Sequence, residues 1–340
     1  MKKKIISVLF ALIILYCLTF PAEMAESVSG GLALWYHSIL PALLPFSIFS
    51  NIIIRSGVYD RFFKRLHPVF RVIYPVRAPL IYPLLAGFLF GFPLGSMICA
   101  DLCREGKVSP GEAETVSAVS NNFGPAFICN CLYQTVFDGQ IPAAVFFAAC
   151  YLPPLLLGRI SLNRLQHGHA APNPQPHRHT ASNSQPHGHA APIPQPHGKH
   201  PCSGNKKKAS GSQINMEIMD AGIMDGFTSM IRLAGYIILS ALLADIIRRL
   251  PLPNDILQCV CIGAVEITNG IQQAGMLSCP VSVRAVLAAG IVSFGGLSGL
   301  SQTWSVMKSA GLHIKKYVCF KLLCSLCGMA LAALILNFLP

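Results

Sequence analysis

Charge is scarce in this chain and acid is scarcest: 14 of 340 residues are Asp or Glu, and charged residues make up 12% in all. Soluble domains carry about 25%, so an ordinary water-facing surface is excluded. Sequence signatures of common chemistry are also missing. There is no Gly-x-x-x-x-Gly-Lys-Ser/Thr phosphate loop and no His-Glu-x-x-His, and Gly296-Leu297-Ser298-Gly299 is followed by Leu300 rather than the glycine of a nucleophile elbow. Nucleotide-driven pumping and hydrolysis are therefore not expected. The chain reads as no enzyme, with no cofactor and no resident metal.

Apolar sequence is what the chain has in quantity. Hydrophobic residues are 53% of it, gathered into the blocks Ile5–Phe20, Leu32–Ile54, Leu80–Ala100, Ala113–Val136, Ile141–Ile160, Phe227–Ile247, Ile256–Met276, Val283–Met307 and Tyr317–Leu339. Each approaches the roughly 20 residues that span the hydrocarbon layer as a helix. An all-α polytopic membrane protein follows, with the lipid bilayer as its first partner.

The formal net charge of +12 raises the question of nucleic acid, but the basic residues sit between the apolar blocks. Lys2, Lys3 and Lys4 open the chain, and Arg55, Arg61, Lys64, Arg65, Arg71 and Arg77 crowd one connection against Asp60 alone. That is the positive-inside pattern of cytoplasmic loops, and no nucleic-acid partner is expected. The three lysines and the first block also resemble a signal peptide. Cleavage after Ala25 or Ala22 would place Glu23 or Phe20 where a small residue is needed, so the block is read as a retained anchor with a cytoplasmic N-terminus.

Thirteen cysteines are present, and Cys99, Cys129, Cys131, Cys150, Cys259, Cys261, Cys319, Cys324 and Cys327 fall within apolar blocks. They are read as small packing residues; Cys324 and Cys327 have CxxC spacing without a second pair. Between about Gln166 and Ser212 the apolar blocks stop, and His167-Gly168-His169, His177-Arg178-His179 and His187-Gly188-His189 recur at ten-residue intervals, with His197 opening a fourth copy. Such a segment buries too little surface to order itself. It reads as a low-complexity tether; the His pairs could hold zinc or nickel weakly.

These boundaries divide the chain into an anchor helix (1–31), a first repeat (32–165), a His- and Pro-rich cytoplasmic linker (166–215) and a second repeat (216–340). Gly91-Phe92-Pro93-Leu94-Gly95-Ser96 breaks the block Leu80–Ala100 at its middle. Read as a re-entrant hairpin, it keeps Arg104, Lys107 and the linker on the cytoplasmic side. Glu266-Ile267-Thr268-Asn269-Gly270 interrupts Ile256–Met276 in the same manner, from the outer face; Arg248 and Arg249 are then left outside. Each half also holds a polar break in the following helix, Ser120-Asn121-Asn122-Phe123-Gly124-Pro125 in the first and Ser293-Phe294-Gly295-Gly296-Leu297-Ser298 in the second. The two halves start from opposite sides, which makes them inverted repeats of the kind secondary transporters use.

A helix broken at mid-depth leaves backbone groups without water, at several kcal/mol each. A bound solute can satisfy them. Half-helix N-termini suit a carboxylate or phosphate, and carbonyl ends suit cations. The candidate substrate site is therefore Gly91, Pro93, Gly95, Ser96, Asn121, Asn122, Gly124, Glu266, Thr268, Asn269, Gly270, Ser293, Gly295, Gly296 and Ser298. Glu266 is read as the one intramembrane acid, a position for a coupling proton or sodium ion. The competing reading of any single Ser, Gly or Asn here is close helix packing.

Together with Leu43-Leu44-Pro45-Phe46 and Leu102-Cys103-Arg104-Glu105-Gly106-Lys107, these motifs resemble the sporulation integral membrane protein family (YlbJ type, stage V). The resemblance covers most of the chain outside the first helix and the linker. It implies a Gate, or nucleoside-recognition, fold like that of concentrative nucleoside transporters. It also implies a small anionic substrate, dipicolinic acid, carried out of the mother cell across the outer forespore membrane during sporulation. The His-rich linker departs from the family pattern. A non-transporting scaffold needed for spore maturation and a nucleoside-type transporter are the alternatives, since fold alone does not choose. The coupling ion, the direction of flux and homo-oligomer formation stay open.

Overall fold

A computed structural model of the chain describes residues 2–56, 67, 68, 72–74, 76–168 and 215–338. The His-rich repeats from His169 onward and the basic residues Arg61, Lys64, Arg65 and Arg71 lie outside the described residues. Everything described is helix, turn or irregular chain, with no strand.

Local sequence sets the helix boundaries. The first helix, α1 (Lys2–Thr19), gives way at Phe20 to α2 (Pro21–Leu34), whose proline stands where a missing N–H costs nothing. A π-helical turn (Trp35–Ile39) then leads into α3 (Leu40–Ser56). Residue 31, where the apolar pattern separates anchor from second helix, lies inside α2 (Pro21–Leu34), since the helix restarts at Pro21, eleven residues before the apolar block at Leu32. The Leu80–Ala100 block becomes α4 (Ile81–Leu89) and α5 (Leu94–Arg104), interrupted at Phe90–Pro93. Ser109 caps α6 (Pro110–Ser120), exchanging hydrogen bonds with Glu112 in a capping box. After Asn121–Gly124 the chain resumes as α7 (Pro125–Phe127), which widens into a π-helical stretch (Ile128–Val136), and α8 (Ala143–Gly168) closes this half.

The second half begins with α9 (Met216–Arg248), capped by Asn215, and α10 (Asp255–Val265), capped by Asn254. Then follow α11 (Ile267–Met276), α12 (Val281–Phe294), α13 (Gly296–Ser309) and α14 (Lys315–Phe338). Ala143–Leu165, Met216–Arg248, Val281–Ser309 and Lys315–Phe338 are long and apolar enough to cross a membrane. Ile231, Leu239, Leu326 and Leu334 on these helices are 54–65% exposed, an apolar exterior of the kind a lipid-facing helix presents.

The packing of the two halves corresponds. Helices α4 and α5 pack on each other and on α6, and α10 and α11 pack on each other and on α12. Across the halves, α5 packs on α13 and α11 on the π-helical stretch, while α14 lies against α6 and α8 against α12. Ionic contacts mark the two ends. Both ends of the α4–α5 pair meet where Arg77 reaches the Lys107 carbonyl (3.4 Å) and Glu112 (2.6 and 2.5 Å). Glu114 joins that end to the other half, accepting from the His313 N–H (2.9 Å) and Lys316 (3.1 Å). At the far end of α9, Arg249 lies 3.6 Å from both Glu23 and Asp245, and Arg248 3.4 Å from Asp245. The two arginines that the positive-inside pattern left unexplained are therefore partnered by acid.

Glu266 is not the only acid set among the apolar helices. Asp245 and Glu114 are buried as well, but each is paired with basic side chains at a helix end, which is where the apolar blocks had already begun to fade.

Candidate functional site

The four sequence breaks meet around one cavity of about 660 Å³. In the first half, Gly91 adopts φ +93°, and a Cβ there would lie 2.8 Å from the Gly124 nitrogen, so the two breaks of this half touch backbone to backbone. In the second half Gly295 and Gly296 hold positive φ (86° and 60°), and Gly296 sits against Ile267 and the Val265 carbonyl. The halves are joined where the Phe92 ring covers Gly299, 3.2 Å from a Cβ placed on that glycine.

Of the candidate residues, Gly91, Gly124, Glu266, Thr268 and Ser298 line the cavity. Glu266 is 5% exposed and caps α11: its carboxylate accepts from Thr268 N (3.1 Å), Asn269 N (2.7 Å) and Asn269 Nδ2 (3.0 Å). No side chain caps α5, α7 or α13, so of the four helices that start at the breaks only α11 has its first turn satisfied in this way. Ser298 accepts from the buried Gln302 Nε2 at 3.1 Å.

The remaining candidates stand behind the wall. Pro93 precedes α5, and its carbonyl accepts from Met97 N (3.0 Å). Gly95 faces Ser120, and Ser96 accepts from Ser117 Oγ (2.6 Å). Asn121 Nδ2 donates to Thr303 Oγ1 (2.8 Å) and the Tyr317 hydroxyl (2.7 Å). Asn122 Nδ2 donates to the Val119 carbonyl (2.8 Å), and its Oδ1 accepts from Lys321 Nζ (2.9 Å). Asn269 Oδ1 accepts from Arg248 (3.3 Å), Gly270 lies on Gly263, and Ser293 Oγ lies 3.8 Å from Cys150 Sγ.

Several contributors were not singled out from sequence. Phe46 and Phe90 stack at 3.7 Å between centroids, and Phe92, Phe123 and Phe127 form a chain of edge and tilted contacts along the same wall. In the sequence these are indistinguishable from core aromatics. Gln302 and Cys131 also line the cavity. Lys321 is the plainest omission: one ammonium near the start of the last apolar block, 3% exposed, was visible as a charge out of place.

Comparison with known proteins bears on this arrangement. The chain is 23% identical over 312 residues to "Sporulation integral membrane protein YlbJ" of Bacillus subtilis (strain 168), over 90% of this chain and 76% of that protein. The match supports the YlbJ-type sporulation membrane family. It runs through both halves, and the long apolar helices agree with the integral membrane character of that relative. No family model matches the chain, and no solved structure matches it.

Proposed function

We propose that this protein is a secondary transporter of a small anionic solute and that the cavity is its binding site. The observation that carries the reading is the convergence of four helix breaks on one cavity, each supplying the start of a helix. Such starts present unpaired N–H groups and the positive end of the helix dipole, and three of the four have no side-chain cap. The volume falls within the 300–1,000 Å³ or so common for small-molecule sites. The phenylalanine wall suits a flat ring. Dipicolinate, the solute the family resemblance implies, combines such a ring with two carboxylates.

In this reading α4–α5 and α10–α11 are re-entrant hairpins entering from opposite faces. The end bearing Arg77, Lys107, Lys316 and Arg159 is cytoplasmic under the positive-inside rule, and the membrane is the outer forespore membrane. Glu266 is the one carboxylate on the described cavity wall, and its charge is spent on its own helix. A proton on Glu266 would lower its repulsion of an incoming anion, which makes a proton the favoured coupling ion.

The test is uptake of dipicolinate by vesicles containing this protein alone, against vesicles carrying Glu266→Gln or Phe92→Ala at equal protein density. Uptake above empty vesicles, reduced in both variants, is expected. No uptake under proton or sodium gradients of either sign would overturn the transporter reading.

A further inference from the structure

Lys321 stands on the side of the α6–α7 break away from the cavity. Its ammonium is 3% exposed and donates to Asn122 Oδ1 at 2.9 Å. It also lies 5.8 Å from the centroid of the Tyr317 ring, and Tyr317 accepts from Asn121 at 2.7 Å. No described carboxylate forms an ion pair with it. A buried ammonium held by neutral oxygen and an aromatic face is expensive unless something negative compensates it. The backbone joined to Asn122 offers a negative end. Helix α6 ends at Ser120, so its negative dipole end and its last carbonyls point into the interior here. Asn122 ties both elements, donating to the Val119 carbonyl of that last turn while accepting from Lys321. Asn121 Oδ1 is a further buried acceptor without a partner among the described residues.

We propose that Lys321 is the built-in cation of this helix break: its ammonium occupies the position at the C-terminal end of a half-helix that a dissolved monovalent cation would otherwise have to fill. Through Asn122 it positions the Asn121–Gly124 segment, which touches Gly91 and carries Phe123 and Gly124 on the cavity wall. Lys321 is thus a positioning residue that does not itself touch the solute. The inference deepens the transporter reading, yet its central prediction concerns cation binding and does not need a transported solute.

The experiment measures thermal unfolding of the full-length purified protein, wild type and Lys321→Ala, Lys321→Met and Lys321→Arg, with methylammonium, sodium or the oversized tetramethylammonium added. The alanine variant is expected to unfold at lower temperature and to recover in millimolar methylammonium but not in tetramethylammonium, while the wild type responds to neither. Lys321→Arg, which keeps a cation in place, should unfold close to the wild type. Lys321→Met, which keeps the packing and loses the charge, should not. If the alanine variant does not accumulate, the Met–Arg contrast carries the test. A methionine variant as stable as the wild type, or an alanine variant that accumulates and is indifferent to methylammonium, overturns the proposal. Where vesicle uptake is measurable, loss of the charged hydrogen bond should lower it about tenfold or more in Lys321→Met, with Lys321→Arg retaining most of it.

Discussion

The replacement of Gly270 by alanine is a sharp test of how the α10–α11 pair is built. A Cβ at that position would lie 2.2 Å from Gly263 Cα and 2.9 Å from Gly263 N, and the obstacle is backbone rather than a side chain that could swing away. Carbon atoms sit comfortably about 3.5–4.0 Å apart, so the two helices must separate by roughly 1.5 Å. They are joined through Glu266 alone, so separation moves the residue that caps α11 and lines the cavity. It also strains the contact of Cys259 Sγ with the Gly270 carbonyl (3.6 Å). Overpacking of this kind costs about 1–3 kcal/mol, and the upper part of that range applies because nothing nearby can yield. Gly235 is the internal control: a Cβ there meets nothing within 4 Å, and Gly235→Ala in mid-helix should be stabilising by about 0.5–1 kcal/mol. Denaturant titration of both variants in the same detergent gives the difference. If Gly270→Ala unfolds within about 0.5 kcal/mol of the wild type, the close packing described for this pair is wrong.

Three further outcomes are expected. Glu266→Ala removes the cap of α11 and should cost about 0.5–2 kcal/mol of stability, with a smaller loss for Glu266→Gln, both read by thermal unfolding. Trp35→Phe removes the hydrogen bond from Trp35 Nε1 to the Met230 carbonyl (3.0 Å) that ties the π-helical turn to α9; about 0.5–1.5 kcal/mol should be lost. Burial pushes the Glu112 carboxyl up, but hydrogen bonds from Arg77 and Ser109 outweigh it and hold the group below the usual carboxylate range. A depressed folded value means that its stabilisation is present above the unfolded carboxylate value and is lost as pH falls through the folded one. Acid unfolding of Glu112→Gln should therefore show a shallower dependence on pH below the ordinary carboxylate range than that of the wild type.

Much of this architecture is legible in the residues themselves. Proline and glycine inside apolar blocks cannot be hidden, so the breaks at Gly91–Ser96, Asn121–Gly124, Glu266 and Gly295–Gly296 were readable, and Ser109 with Glu112 announces the start of α6. Boundaries inside unbroken apolar sequence were less so: nothing in the hydropathy pattern distinguishes Pro21, a restart within one long helical stretch, from a loop. Pairings distant in sequence were out of reach. Asn122 and Lys321 are 199 residues apart, and the partner of a buried polar group is decided by packing that a single sequence does not encode locally. The same limit separated the residues on the cavity wall from those behind it. Spacing brought Asn121 and Ser298 to matching breaks, but only their rotation about the helix axis decides that Ser298 faces the cavity and Asn121 faces Thr303 and Tyr317.

Cys131 places a thiol on the cavity wall. Its thiol belongs to the same wall as Glu266 and Phe127, whereas Cys99, Cys150, Cys259 and Cys324 are buried. A bulky maleimide that cannot cross the bilayer, offered first to one face of sealed vesicles and then to the other, would modify this sulfur only from the compartment to which the cavity is open. With Cys202 and the partly or fully exposed Cys17, Cys103, Cys129, Cys261, Cys279, Cys319 and Cys327 replaced beforehand, a solute that occupies the cavity would slow the modification, and this one sulfur would report both the accessible face and occupancy.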